Sequence, residues 1–544
     1  MKTVIVNGER RGIEDNMTAI DIFNDAGEVI CGVYADNDVK ANDYVPKAGE
    51  TLRPVLKSDP EGERIFYNTL SLLLARAAVD LDKNVKAMFS VAGGIYFRFT
   101  DKNPMSPSDV KVIRKGIKRL VDKALPIRAE YYSYENAKKI LAAVENLSSG
   151  NLMEYMGDEI KLYNVGGFYG YFYTRLLTNT DQIDFFDVVH YDGGCILFWD
   201  ENARDASAEK LRIQRKLFEE MLRYDSWCAR FDVSDIVSIN NKIKDGSIVR
   251  LITYAETRYE QMLMNAAREI YDDYENKRII LIAGPSSAGK TTTSKRLMTH
   301  LTTMGLSPVT IAMDDYFIDR DKTPLDEYGQ PDFESVRALD IELFNENLVD
   351  LMAGKETVLP VYDFKTGKSI RNGRTLIVDE KSPIIIEGIH GLNDALTDHI
   401  PRKNKYKIYI NDLTHLNIDN LNRIPTSDVR LVRRITRDNV QRGHDALATI
   451  AMWQSVRRGE EKNIFPYAGE ADFVVNSSLF YELGVLKKYS HETLTAVSRQ
   501  SEYYSEARRI LKYLSFFMDV EDETTIYANS VLREFIGGSI YDKI

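Results

Sequence analysis

Gly284-Pro285-Ser286-Ser287-Ala288-Gly289-Lys290-Thr291 follows directly on Arg278-Ile279-Ile280-Leu281-Ile282-Ala283 and runs into Thr292-Thr293-Ser294-Lys295. A continuous apolar run of this kind reads as a parallel strand buried on both faces. The spacing GxxxxGK[ST] after it is that of a loop that wraps phosphates at the start of a helix. Each residue type has a mechanical reason. The glycines let backbone N–H groups close around an anion, and the helix N-terminus adds its positive end. Lys290 reaches the β- and γ-phosphates, and the Thr291 hydroxyl is suited to ligate Mg²⁺. Residues 284–292 are therefore expected to hold a nucleoside triphosphate. The competing reading, a Gly/Ser loop with a surface lysine, leaves the strand before and the helix after unexplained.

Outward from this loop, further strand candidates lie at Pro308–Met313, Ile384–Ile386, Lys407–Ile410 and Phe473–Val475, separated by helical stretches. That alternation implies an α/β fold, a parallel sheet with helices on both faces. In Pro383-Ile384-Ile385-Ile386-Glu387-Gly388 three β-branched residues deliver a carboxylate to a strand's C-terminal end, which pairs Glu387 with Thr291 as metal ligands.

The length of 544 residues implies about three to four domains. Residues 1–58 read as a small β-rich unit, with Asn7-Gly8 as a hairpin signal and Thr18 to Asp21 as a capping box closed by Gly27. Residues 59–200 read as α+β: an apolar helix from Phe66 to Ala78, a strand Ile95–Phe99, a helix capped by Ser106 with Pro107 at its first position, and a helix Tyr134–Val144. Residues 201–276 read as a charged helical connector, 277–480 as the phosphate-binding unit, and 481–544 as a helical tail.

Composition narrows the function. A net charge of −11 disfavours a broad surface for nucleic acid. Cys31, Cys195 and Cys228 are far apart and make neither a disulfide framework nor a zinc site. No run approaches the ~18 apolar residues of a membrane span, and Met1-Lys2-Thr3-Val4 opens a polar start, not a signal peptide. A cytoplasmic protein without membrane partners is expected.

Asp314-Asp315-Tyr316-Phe317, Tyr362-Asp363-Phe364, Glu387-Gly388 and Arg433-Arg434-Ile435-Thr436-Arg437-Asp438, continuing to Arg442-Gly443, occur in the order typical of uridine kinases and phosphoribulokinases. The resemblance covers about residues 280 to 475. It implies ATP, Mg²⁺ and a small hydroxyl acceptor. Either Asp314 or Asp315 stands where a base could take the acceptor's proton; the family motif favours Asp314. Arg434, Arg437 and Arg442 recur at helical spacing, either as a lid over phosphates or as a solvated face paired with Asp428 and Asp438. Lys290, Asp314, Arg434 and Arg437 are thus the expected catalytic set. Asp315, Tyr316, Tyr362, Phe364 and His444 are the expected acceptor contacts, although Tyr362 and Phe364 also fit simple core packing. The chain departs from uridine kinases at Gly367, where they usually carry histidine, and at His444, where they usually carry arginine. Phosphoribulokinases can carry Arg-Gly-His.

The first unit resembles the TGS module of threonyl-tRNA synthetases, a ubiquitin-like β-grasp. The second resembles their editing domain, through Gly94–Phe99, Ser106–Asp109 and Leu125–Glu130. The resemblance places Tyr67, Ser71, Phe172 and Leu176 where that family carries His, His, Cys and His, so its editing chemistry is not expected. His190 and Cys195 alone make no metal site. The combined expectation is an ATP-dependent nucleoside kinase with a degenerate synthetase-like front half. It is taken as a homo-oligomer, with nucleic acid reaching it only through the front domains. The alternatives are a kinase of another sugar or polyol hydroxyl, and an RNA-binding regulator with a nucleotide switch.

Overall fold

The computed structural model describes residues 1–143, 152–157, 159–325, 329, 331–333, 335–363 and 366–543. The first segment folds as β1 (Lys2–Val6), β2 (Glu9–Ile13), β3 (Ile30–Ala35), β4 (Asp38–Ala41) and β5 (Thr51–Leu56), in sheet order β2-β1-β5-β3-β4. Only β1 and β5 run parallel within it. Thr18 and Asp21 form the expected capping box: the Thr18 N–H donates to the Asp21 carboxylate at 2.8 Å, opening the short helix Ala19–Ile22.

The second segment holds seven strands, not the single aromatic one the sequence pattern suggests. β6 (Val85–Val91), β7 (Gly94–Phe99), β11 (Asp187–Tyr191) and β12 (Gly194–Phe198) form one antiparallel sheet, and β8 (Ile127–Ser133), β9 (Glu159–Val165) and β10 (Phe168–Tyr171) another. β8 escapes a hydrophobic reading because Ile127 is its single buried residue. The helix Pro60–Ala78 packs its apolar face against both, and Ser106 caps the helix Pro107–Asp122 with Pro107 at its start.

The third segment is a five-stranded parallel sheet of β13 (Ile279–Ala283), β14 (Val309–Ala312), β19 (Ile384–Glu387), β20 (Lys405–Asn411) and β21 (Phe473–Asn476), ordered β14-β19-β13-β20-β21. Four short strands, β15 (Thr357–Val358), β16 (Val361–Asp363), β17 (Lys368–Ile370) and β18 (Thr375–Leu376), form two hairpin ladders beside it. β13 is buried at all five positions, and side chains of this size contribute roughly 1.5–3 kcal/mol each on burial. Register aligns the functional edge: Glu387 lies opposite Ile282 on one side and Ala312 on the other. The chain leaving β13, β14 and β19 thus emerges at one end of three adjacent strands.

Residues 201–271 are helical, ending in the long helix Ile248–Tyr271. Far from acting as a spacer, that helix sends Ile252, Tyr259, Leu263 and Ile270 into the same core as Ile280, Ile282 and Leu297. Leu486, Ile510, Tyr513 and Val531 from beyond residue 480 join it too. The loop between β20 and the helix Thr426–Arg442 docks on the second segment through buried asparagines. Asn417 Nδ2 donates to the Ala87 carbonyl at 2.6 Å, and Asn422 Nδ2 to that of Tyr171 at 2.8 Å.

Candidate active site at the P-loop

The loop 284–289 is shaped by what surrounds it. A Cβ at position 284 would lie 2.0 Å from the Ile410 carbonyl oxygen, so only glycine lets β13 pass β20 there. Gly289 takes φ +89° as the last residue before the helix Lys290–Thr303, a conformation glycine adopts without penalty. Lys290 Nζ donates to the carbonyls of Gly284 (3.0 Å) and Pro285 (3.1 Å), folded back over its own loop. Burial pushes its ammonium below the usual range, against the pull of Glu387, Glu534 and Asp314.

Across the sheet edge, Thr291 Oγ1 donates to Glu387 Oε1 at 3.2 Å, while Glu387 Oε2 is buried with no hydrogen-bond partner. Burial raises the Glu387 carboxyl, and Lys290 opposes it. An orphaned carboxylate oxygen beside a hydroxyl suits Mg²⁺, which takes one or two protein oxygens and fills its octahedron with water and phosphate. Among the described residues no group of three His, Cys, Asp or Glu side chains forms a closed metal cage.

Asp314 and Asp315 sit in the turn Met313–Tyr316 that follows β14. Asp314 opens to solvent at the mouth of the site, yet enough protein surrounds it to raise its carboxyl, with Lys290 pulling the other way. Asp315 is more enclosed; burial raises it too, and the Tyr362 N–H and Arg374 oppose. Tyr316 does not reach the site. It is 1% exposed, accepts a hydrogen bond from Asn347 Nδ2 at 3.0 Å and packs edge-on against Phe344, because the turn directs it into the core. Tyr362 is buried with its ring 5.5 Å from that of Phe317. Phe364 lies outside the described residues. At Gly367 (φ +69°) a Cβ would meet the Arg320 side chain at 2.9 Å, so this position is filled from elsewhere.

On the helix Thr426–Arg442 the three arginines meet a carboxylate of their own helix. Arg434 (3.4 Å), Arg437 (3.0 Å) and Arg442 (3.4 Å) all converge on the buried carboxylate of Asp438. Three guanidinium groups on one carboxylate leave an excess of positive charge. Arg434 also donates to Ser286 Oγ at 2.9 Å, which puts this excess against the phosphate loop. Gly443 ends the helix at φ +67°, and the His444 N–H donates to the Asp438 carbonyl at 3.0 Å. The His444 side chain is exposed beyond that end, and the structure gives it no contact with the P-loop.

Arg430, Glu460, Glu482 and Glu534 of this site lie outside the motifs, and Arg433 stands in one without a role assigned to it. Arg433, fully buried, pairs with Glu482 at 2.5 Å and braces Ser287 and Ser477, so it supports the loop from behind. Arg430 and Glu460 form a buried pair at 2.5 Å. Glu460 Oε1 also accepts the Ser286 N–H at 2.9 Å, and Arg430 donates to the Ser286 carbonyl at 3.0 Å. Burial works against the charge of Glu460, but Arg430, Arg457 and the Ser286 N–H outweigh it and hold the carboxyl below its usual range. Glu534, from far along the chain, accepts the Thr292 N–H at 3.0 Å and the Thr292 hydroxyl at 2.8 Å. The N–H groups of a helix's first turn lack intrahelical partners and are the ones an anion takes. No local pattern announces any of these four, since their partners lie 30 to 242 positions away.

Glu534 stands on a donor that a bound phosphate would use. Glu534→Gln keeps the shape and removes the charge. It is expected to tighten ATP binding about two- to tenfold, the scale of a charge at a helix terminus, by titration calorimetry. Weaker binding would show instead that Glu534 holds the loop ready.

A parallel sheet, a phosphate loop after its central strand and carboxylates at the ends of β19 and β14, on one side of that strand, define a P-loop kinase domain. Residues 279–479 match the phosphoribulokinase / uridine kinase family. Over 199 residues the chain is 32% identical to a uridine kinase of Staphylococcus epidermidis and 33% identical to one of Staphylococcus aureus, in each case 36% of this chain and 86% of the relative. The chain belongs to the phosphoribulokinase / uridine kinase family. Among solved structures it is similar to a possible uridine kinase from Bacillus stearothermophilus (21% identity, TM-score 0.24, 37% of this chain and 89% of that one). It is also similar to a D-glycerate 3-kinase from Cryptococcus neoformans (13% identity, TM-score 0.23, 47% and 87%).

Proposed function

We propose that the protein transfers the γ-phosphate of ATP to a hydroxyl of a small molecule, with the 5′-hydroxyl of a nucleoside the best-supported acceptor. The observation that carries this reading is the alignment of Asp314, Glu387 and the P-loop at one end of β14, β19 and β13. Lys290 and the loop amides hold the β- and γ-phosphates. Thr291 and Glu387 would hold Mg²⁺, which when bound would supply charge neutralisation for the phosphates. Asp314 accepts the proton of the attacking hydroxyl, and the arginine excess around Asp438 offsets charge as it develops on the transferring group.

Arg437→Ala is expected to lower turnover more than it weakens ATP binding, because that charge matters most as transfer proceeds. Equal losses in both would make Arg437 a ground-state phosphate ligand.

The nucleoside assignment rests on the uridine kinase relatives. A sugar or polyol acceptor has its own support in Gly367 and in the buried Tyr316, which depart from nucleoside contacts expected by resemblance. An RNA-binding switch would need no base beside the γ-phosphate, so Asp314 speaks against it. ADP release with ATP and a panel of nucleosides, ribulose-type sugars and polyols decides among the three. Turnover with nucleosides supports the main reading, turnover with sugars alone the second, and none with any acceptor defeats both.

For the front half, the order β2-β1-β5-β3-β4 with one helix supports the β-grasp, TGS-like reading. Phe172 and Leu176 are core residues at 0% and 1% exposure, and Ser71 Oγ donates to the Tyr67 carbonyl at 2.8 Å. His190 Nε2 sits 2.9 Å from the Met105 carbonyl. These positions argue against editing chemistry and suit the reading of the second segment as a binding or regulatory domain.

A further inference from the structure

Between the second segment and the P-loop domain lies a cleft of about 830 Å³, walled by Tyr67 and Trp199 on one side and by Trp453 and Phe465 on the other. That volume is in the range that holds small organic ligands. None of residues 284–292, Asp314 or Glu387 lines it, so it is separate from the P-loop and does not depend on the phosphoryl-transfer reading.

Its unpaired charges are mainly positive: among the described residues two cations stand against one carboxylate, Glu63, that has no ion pair. Each carboxylate in the wall is engaged. Asp428 accepts from Arg509 at 2.5 and 3.0 Å, Glu506 from Arg64 at 2.7 Å, Glu461 from Arg457 at 2.9 Å, and Glu63 from Trp199 Nε1 at 3.0 Å. Arg423 differs. It donates to Ser90 Oγ at 2.7 Å, its buried Nε has no hydrogen-bond partner, and among the described residues no carboxylate pairs with it. Lys210, also in the wall, likewise has no ion-pair partner among the described residues. The seventeen-residue helix Thr426–Arg442 begins at the same cleft, and no side chain caps its first turn. A partly enclosed guanidinium whose nearby carboxylate, Asp428, is already held by Arg509 gains from an anion that supplies a counter-charge of its own. A guanidinium fork beside free helix N–H groups suits phosphate in particular. The Tyr67 and Trp199 rings, 5.2 Å apart at 43°, give an apolar wall of the width of a planar ring.

We propose that this cleft binds a small phosphorylated metabolite carrying a planar ring, of the size of a nucleoside monophosphate. Its phosphate lies on Arg423 and the open helix start, and its ring against Tyr67 and Trp199. A nucleic-acid strand fits less well, because two uncompensated cations and a chain charge of −11 give it little to follow.

Trp199 and Trp453 are two of the chain's three tryptophans, so intrinsic fluorescence reads the cleft directly. The full chain is titrated with AMP, UMP, CMP, GMP and inorganic phosphate, and with a single-stranded hexanucleotide. Saturable quenching by at least one monophosphate is expected, with inorganic phosphate binding about tenfold or more weakly, a difference of ~1.4 kcal/mol. Arg423→Gln and the surface change Lys210→Glu are each expected to weaken that binding several-fold. Lys210→Glu should leave the thermal midpoint in place, so a loss of binding in it is not a loss of fold. Lys290→Ala should keep the signal. Four results would overturn the site: no saturable response to any monophosphate at millimolar concentration, affinity in both cleft variants unchanged from that of the unsubstituted chain, loss of the signal in Lys290→Ala alone, or tighter binding of the hexanucleotide than of every monomer.

Discussion

Lys290→Ala is expected to abolish phosphoryl transfer while leaving the fold intact. The side chain makes two hydrogen bonds, both to carbonyls of its own loop, so its removal takes little from the core. What it takes from the site is the one lysine ammonium of the P-loop, which burial and the nearby carboxylates have already set apart from bulk solvent. Loss of an electrostatic stabiliser in such a place costs about 10²–10³ in turnover for a single donor, and a full charge on the transferring phosphate should exceed that. ADP release at saturating ATP and acceptor measures it. An unchanged turnover number would mean that phosphate transfer happens elsewhere.

Asp314→Asn is expected to keep ATP binding and lower turnover by about 10²–10⁴, the range for a lost general base. The pH profile gives a second check. The base works only when ionised, and its carboxyl is held above the ordinary aspartate value by the surrounding protein. Turnover should therefore fall on acidification at a higher pH than an ordinary free aspartate would give, and that acidic limb should disappear in Asp314→Asn. If Asp315→Asn shows both effects instead, the base is its neighbour, whose carboxyl is also raised by burial.

The central sheet was readable because its strands are buried on both faces and so appear as unbroken apolar runs: Ile279–Ala283 and Ile384–Ile386 stand out by eye. The phosphate loop was readable because glycine, lysine and threonine have few other reasons to occur at that spacing. Strands such as Ile127–Ser133 were not, since six of its seven side chains keep some contact with solvent and the alternation carries little apolar signal. Within the site, the sequence placed Arg434, Arg437 and Arg442 on one helix, but the carboxylate on which they meet was read only as a helix-surface partner. Arg430–Glu460 and Arg433–Glu482 were invisible, because a buried ion pair is a tertiary coincidence of two ordinary charged residues. Tyr316 was misplaced for a related reason. In a tight turn, neighbouring residues point in different directions, and sharing a motif with Asp314 and Asp315 does not mean sharing a surface.

The P-loop is enclosed by segments drawn from both flanks of its own sheet. Tyr259 hydrogen-bonds Thr293 at 2.5 Å in the first helix turns, Arg296 reaches the Asn529 carbonyl at 3.2 Å, and the Val531 methyl lies 2.4 Å from where a Cβ on Gly289 would stand. Excising residues 277–480 would therefore strip the loop of its walls and lay bare Ala288, Leu297 and Ile410, leaving a sticky fragment in place of a minimal catalyst. A protease nick between residues 515 and 530, distant in sequence from every catalytic side chain, would act as a cut through the nucleotide pocket's back wall. Inactivation by limited digestion should then track release of that segment, and two separately made pieces should regain activity only when they reassociate.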